Sequence, residues 1–274
     1  MRRSVFHYSI KEIAPYIDWS YLLHAWGLGA GTRHKSTADE LIHDAKAMLH
    51  AMEGRYRTHA LFALCDARGD GDDLVIEGKN LPLLRQQHSM EGMPCLCLSD
   101  FVSPHGDKVG LFATTVDEAF GTEFRNDDYM NILAQALADR LAEATATVIH
   151  LAVRKREELW GYSPHEALSI EELNKERYQG IRPAVGYPSL PDQSIIFIID
   201  SLLRVEEIGI KLTANGAMYP HASVCGMMIA HPAARYFAVG KISTEQLDDY
   251  ASRRGIPREQ LNMFLAMNVQ EQEP

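Results

Sequence analysis

The chain is short of the features that would place it in several large functional classes. It has only 4 cysteines in 274 residues, and Cys65, Cys95, Cys97 and Cys225 sit in apolar, strand-like stretches where reduced thiols are ordinarily buried. Basic residues are the minority, with 27 Lys and Arg against 37 Asp and Glu, for a net charge of -10. A protein that grips a phosphate backbone needs the opposite sign, so no nucleic acid is expected as partner. Apolar runs are short. Ile195 to Ile199 stops at Asp200, Ala222 to Ala230 lies between His221 and His231, and neither approaches the roughly 20 residues of a membrane span. Met1-Arg2-Arg3-Ser4-Val5-Phe6-His7 has no apolar stretch after its basic pair, unlike a signal peptide. A cytoplasmic protein is expected, off the membrane. H-E-x-x-H, G-x-S-x-G and P-loop motifs are missing as well, which disfavours a hydrolase or metal enzyme.

What is present is ordinary globular material: 46% hydrophobic and 23% charged residues, in a length that allows one large domain or two small ones. The chain can bury about three-quarters of its unfolded surface and needs no disulfide or metal to fold. Short helices are predicted first, with Ser9 and Glu12 as a capping box and Asp18 capping a helix whose apolar face is Trp19, Leu22, Leu23 and Trp26. Thr37 with Glu40 reads as a second box, ahead of a stripe Leu41, Ala45, Met48, Leu49, Met52 closed by Gly54. Strands are predicted at 59–65, 73–76, 95–101 and 108–115, with Arg68-Gly69-Asp70-Gly71-Asp72 as a hairpin turn. Residues 127–160 read as one long helix. Ser169 and Glu172 cap a shorter one ending near Gln179. Ile195, Ile198, Ile199, Leu202 and Leu203 build an amphipathic helix ended by Gly209. A strand pair over 223–230 and 235–241 and a helix from Ser243 to Gly255 complete the pattern. Strands clustered between helices imply an α+β fold, not alternating βαβ units.

Several motifs admit a structural reading beside a chemical one. Gly27-Leu28-Gly29-Ala30-Gly31 follows a helix and lacks G-x-G-x-x-G spacing, so it reads as a helix-terminating loop. Cys95 and Cys97 would share one strand face, but with no second Cys or His pair at finger-like spacing they read as structural and no metal is expected. Asp139 and Glu143, at i and i+4 on the long helix, are either a solvated stripe or part of a site. The segment Arg182-Pro183-Ala184-Val185-Gly186-Tyr187-Pro188 carries the clearest signal. A guanidinium on a proline-stiffened loop suits a bidentate grip on a carboxylate or phosphate, and Gly186 could let a ligand approach the backbone. A packed structural turn is the alternative.

At these residues the chain resembles the activation (reactivation) domain of cobalamin-dependent methionine synthase. The likeness runs through Tyr178-Gln179-Gly180-Ile181-Arg182-Pro183-Ala184-Val185-Gly186-Tyr187-Pro188, Ala217-Met218-Tyr219-Pro220, His231-Pro232 and Tyr236-Phe237-Ala238-Val239. Asp18-Trp19, Leu98-Ser99-Asp100-Phe101-Val102 and Ala138-Asp139-Arg140-Leu141-Ala142-Glu143 precede them in matching order, and Asp249-Tyr250-Ala251 follows. The resemblance implies a single helmet-like α+β domain over residues 1–274, with a mixed or antiparallel sheet and a long central helix. It implies binding of S-adenosylmethionine through Asp18 at the ligand ammonium, Arg182 at its carboxylate, and Ala184, Tyr187 and Tyr236. Glu143 and Glu176 match the acids near the sulfonium and are the expected catalytic residues.

The implied function is reductive remethylation of cob(II)alamin, with cobalamin carried by a methionine synthase subunit and electrons supplied by a flavodoxin-type reductant. No D-x-H-x-x-G cobalamin motif or zinc-thiolate module is found in the sequence, so the chain is expected to act in trans as a component of methionine biosynthesis, not as a complete enzyme. The alternative is an S-adenosylmethionine-binding accessory to another corrinoid methyltransferase. Three segments depart from the family pattern: Ala214-Asn215-Gly216, Met227-Met228-Ile229 and Gln193. They are expected near the surface facing ligand or cobalamin.

Overall fold

The chain opens on a strand, β1 (Arg2–Ser9), where the sequence predicted short helices from the start. The structure, a computed structural model, describes residues 1–28 and 35–270. The predicted helices follow β1. α1 (Ile10–Ile13) carries the Ser9–Glu12 capping box in both directions, and α2 (Trp19–Ala25) is capped by Asp18. Gly27 turns the chain out of α2 with φ +69, while Gly29, Ala30 and Gly31 of the glycine-rich motif lie outside the described residues. α3 (Lys35–Met52) buries the expected stripe Leu41, Ala45, Met48, Leu49 and Met52. It is helical from Lys35 on, so Thr37 lies inside its first turn and does not cap it.

The sheet comes next. β2 (Arg57–Asp70), β3 (Asp73–Ile76) and β4 (Lys79–Pro82) form a meander, and β5 (Asp107–Val116) pairs along the other edge of β2. Asp70 pairs with Asp73, so the predicted hairpin turn tightens to Gly71-Asp72. Residues 95–101 are not a strand: Leu98–Phe101 is a single 3-10 turn, closed by the Asp100 carboxylate accepting from the Cys97 N–H at 2.8 Å. Cys97 is buried and Cys95 only partly so, and all four cysteines are free thiols. β2 is long enough to hold β1 and β3 end to end along one edge, β1 through residues 57–64 and β3 through 67–70.

α4 (Asp128–Lys155) is the long central helix, N-capped by Asp127. It ends at Lys155, five residues before the sequence reading has it, and Glu157–Trp160 are turns. α5 (Ile170–Asn174) has the Ser169–Glu172 box but stops five residues short of Gln179. α6 (Ile195–Leu203) buries Ile195, Ile196, Ile199, Leu202 and Leu203. At about 1.5–3 kcal/mol for each fully buried large apolar side chain, that stripe is what holds the helix on the sheet. β6 (Lys211–Leu212) and β7 (Met218–Tyr219) make a small hairpin. β8 (Ser223–Met228) closes the sheet in the order β4-β3-β2-β5-β8, and every strand pairing in it is antiparallel. α7 (Thr244–Arg254) is capped by Ser243 and closed at Gly255 as expected, and α8 (Arg258–Leu265) follows unpredicted.

Both sheet faces are covered, which explains the near-continuous apolar runs of β2 and β5. Ala60, Phe62 and Phe112 pack with Ala142, Ala146 and Ile149 of α4. Leu61, Ala63 and Leu111 face Ile195, Ile196 and Ile199 of α6 on the opposite side. The strand pair expected from 223–230 and 235–241 does not form. β8 pairs instead with β5 and, on its free edge, with the proline-rich segment through the bridges Ile181–Ile229 and Ala184–Gly226. Residues 235–241 run irregularly along the same segment, where the Val239 N–H donates to Pro188 O at 2.9 Å.

Gly226 is where β8 and this segment touch. A Cβ there would meet Ala184 Cα at 2.7 Å and press on the Pro183 carbonyl. Gly226→Ala is therefore expected to cost about 1–3 kcal/mol by overpacking and to push the Arg182 loop off the sheet. Urea unfolding checks it. An unchanged midpoint would show that the loop yields freely at this contact.

Candidate functional site

Arg140, Glu143, Ala144 and Thr147 lie at i, i+3, i+4 and i+7 on α4, one face of the helix. That face forms one wall of a cleft of about 550 Å³, a volume suited to a small-molecule ligand. The opposite wall is the proline-rich loop, with Arg182, Pro183, Ala184, Tyr187, Pro188 and Ser189. Asp18 and Tyr21 come from the start of α2, Glu176 and Tyr178 from the turn after α5, and Tyr236 and Phe237 from the irregular segment. All seven site residues expected from the sequence, Asp18, Glu143, Glu176, Arg182, Ala184, Tyr187 and Tyr236, line this one cleft. Asp139 does not. It is exposed, so the i, i+4 acid pair divides into one cleft residue and one solvated one.

Arg182 is held from several directions. Its Nη2 donates to Thr147 Oγ1 at 3.2 Å, and its Nη1 lies 3.5 Å from the Tyr178 hydroxyl. Its backbone N–H donates to the Tyr236 hydroxyl at 2.9 Å. Thr147 sends its own proton to the Glu143 carbonyl at 3.3 Å, which leaves its lone pairs for the guanidinium. Burial lowers the Arg182 pKa, but Tyr178, Tyr236, Glu143 and Glu176 around it outweigh that and the net shift is upward, so it stays a cation. No carboxylate forms an ion pair with it among the described residues. A fork-shaped cation with free donor edges in a cleft is what a carboxylate ligand requires.

The acids are placed differently from one another. Asp18 Oδ1 accepts from the Ser20 N–H at 2.9 Å and the Ser20 hydroxyl at 2.6 Å, so capping α2 also fixes the carboxylate at the cleft. Glu143 Oε1 accepts from the Tyr187 hydroxyl at 2.6 Å, a bond that ties the loop to α4. Glu176 is at the rim in a left-handed backbone conformation, φ 54, which costs a non-glycine residue on the order of 1 kcal/mol. The cleft walls raise its carboxyl pKa above 4.5, with Glu143 adding and Arg182 opposing, although solvent still reaches the residue. At the mouth, the Arg140 guanidinium carbon lies 5.5 Å from the centre of the Tyr21 ring.

Sequence reasoning missed Thr147, Tyr178 and Phe237 as cleft residues. The α4 spacing could have revealed Thr147; the other two reach the cleft only through tertiary packing. Gly186 does not line it. Its φ is +85, and a Cβ there would meet Gln193 Oε1 at 2.6 Å. Its bareness thus serves the loop and not a ligand. Gln193 in turn donates to Gly216 O at 2.8 Å, so two of the three departures from the family pattern form one linked contact. Met227 and Met228, in the third, are fully buried on opposite sheet faces. None of these departures borders the cleft.

The sequence matches the description "Vitamin B12 dependent methionine synthase, activation domain" over residues 9–255. The chain belongs to this activation-domain family. A solved structure described as the MetH reactivation domain bound to AdoHcy superposes with a TM-score of 0.92 at 37% sequence identity, covering 99% of this chain and 91% of that one. The activation-domain fold is thus a mixed α+β structure around an antiparallel sheet. No helix among the described residues is long and apolar enough to cross a membrane, and no cluster of three or more His, Cys, Asp or Glu among them is placed to hold a metal ion.

Proposed function

We propose that this activation domain binds S-adenosylmethionine in the cleft and supports reductive remethylation of cob(II)alamin carried in trans by a cobalamin-dependent methionine synthase subunit. The observation that carries the reading is the Arg182 guanidinium, which faces the cleft without a carboxylate partner among the described residues while Asp18 lies in the same cleft. An amino-acid end group supplies the complement to both, a carboxylate for Arg182 and an ammonium for Asp18. The AdoHcy in the related structure has that same end group. Tyr236 and Phe237 offer aromatic surface to a purine.

The corrinoid supplies the nucleophile, and a flavodoxin-type protein the electron. The chain's own residues position the donor. Asp18 and Arg182 fix the amino-acid end, and Ala184 and Tyr236 line the ligand's bed. Glu143 and Glu176 place negative charge near the sulfonium. That charge favours the bound cation, and its pull weakens as the methyl departs and sulfur becomes neutral. The acids therefore serve best close to the sulfonium but out of tight contact. Pre-alignment of donor and acceptor then supplies most of the rate effect.

One pH effect follows. Ionised Glu176 favours the sulfonium, and burial against the cleft raises its carboxyl pKa, so its charge is lost at a higher pH than that of a free glutamate. Affinity for S-adenosylmethionine is expected to be lower at mildly acid than at neutral pH, and affinity for neutral S-adenosylhomocysteine to fall less. Titrations at both pH values check this, and Glu176→Gln is expected to flatten the difference. Equal pH profiles for the two ligands would remove Glu176 from the sulfonium environment. Calorimetry with the wild-type chain tests the binding itself. One site per chain is expected, and absence of heat at millimolar ligand would refute it.

A further inference from the structure

Behind Arg182 lies a buried polar assembly that the proposed ligand does not touch. Arg154 on α4 is 1% exposed and Glu166 7% exposed. Arg154 Nε donates to both Glu166 oxygens, at 3.1 and 2.9 Å. The Arg154 guanidinium carbon then stacks 4.3 Å from the centre of the Tyr178 ring. His150, fully buried, meets the same ring edge-on at 4.8 Å and shares a 2.8 Å hydrogen bond with the Tyr162 hydroxyl. Two residues of α4, one turn apart, thus pack against one phenol ring. A buried ion pair adds little net stability over apolar residues of the same volume, so its placement against a cleft residue calls for another account.

The Tyr178 hydroxyl supplies it. That oxygen lies 3.5 Å from Arg182 Nη1 and 3.4 Å from the Tyr236 hydroxyl, which accepts the Arg182 backbone N–H. The three residues close a ring. Tyr178 holds the far end of the Arg182 side chain, Tyr236 holds its backbone, and the two phenols hold each other. We propose that Tyr178 is a positioning residue that orients the Arg182 guanidinium toward the ligand carboxylate, with its own ring fixed by Arg154 and His150. The inference rests on S-adenosylmethionine binding in the cleft and adds the device that aims its anchor.

A role in aiming Arg182 differs from a general structural role in which ligand it affects. Tyr178→Phe keeps the ring, the guanidinium stack and the His150 contact, and removes only the hydroxyl. Its affinity for S-adenosylmethionine is expected to fall about 3- to 10-fold, the range of one modest hydrogen bond. Its affinity for decarboxylated S-adenosylmethionine, which lacks the group Arg182 would hold, is expected to change less than 2-fold. Thermal melting of the variant within a few degrees of wild type shows that the fold is kept. Tyr178→Leu also loses the ring contacts and is expected to show a larger, equally selective loss. Equal losses for both ligands in Tyr178→Phe, or no loss for S-adenosylmethionine, would overturn the inference while leaving the binding site intact. Failure of the wild-type chain to bind S-adenosylmethionine would overturn this inference and the proposed function together.

Discussion

Arg182→Ala is expected to weaken S-adenosylmethionine binding by about 2–5 kcal/mol, which is roughly 30-fold to several thousand-fold in affinity. The size follows from where the group stands. Its donors are directed by Thr147 and Tyr178, and no protein carboxylate competes for its free edges among the described residues. Removing it would leave a ligand carboxylate in the cleft without its cation. Arg182→Lys keeps the charge and loses the fork, so it should retain part of the affinity and lose the bidentate geometry. Titration calorimetry of the three proteins decides it. An Arg182→Ala affinity within 3-fold of wild type would place the ligand carboxylate elsewhere.

The second large effect is on stability. Glu166→Ala would leave the Arg154 guanidinium buried without its counter-charge, at an expected cost of about 3–5 kcal/mol. Glu166→Gln leaves an acceptor for the Arg154 Nε and should cost less. The double replacement Arg154→Met with Glu166→Leu removes both charges and should lie much nearer wild type than Glu166→Ala does. Urea unfolding at pH 7 measures all three. A loss under 1 kcal/mol for Glu166→Ala would show that solvent reaches Arg154 once its partner is gone.

Local signals in the sequence proved legible where a short segment decides its own conformation. The Ser9–Glu12 and Ser169–Glu172 boxes, the Asp18 cap and the Gly255 stop all depend on a few neighbouring residues, and the structure has each of them. β1 was illegible because it lies on the outer edge of β2, where its alternation between exposed and half-buried side chains leaves only a weak pattern. Its eight-residue register with β2 is a tertiary fact. The 235–241 segment has strand-like composition, yet the edge of β8 it would need is already taken by the Arg182 loop. α8 had a readable signal, Leu261 and Leu265 at i and i+4 after Pro257, but only its packing beside α7 makes those leucines core. In the cleft, the family likeness named residues far apart in sequence. The helical spacing of Arg140, Glu143, Ala144 and Thr147 was available from periodicity alone. What no pattern could supply is that Tyr178 and Tyr236, 58 residues apart, close a ring on Arg182.

The central claim, that the cleft presents a methyl donor to a corrinoid held by another subunit, is tested most directly by reconstitution. A cobalamin-binding methionine synthase fragment without an activation domain is mixed with a reductant and S-adenosylmethionine, and methylcobalamin formation is followed by absorbance. Formation that depends on adding this chain, and that Arg182→Ala abolishes or slows in step with its binding loss, is the expected result. Methylcobalamin appearing at the same rate with and without the chain would contradict the claim.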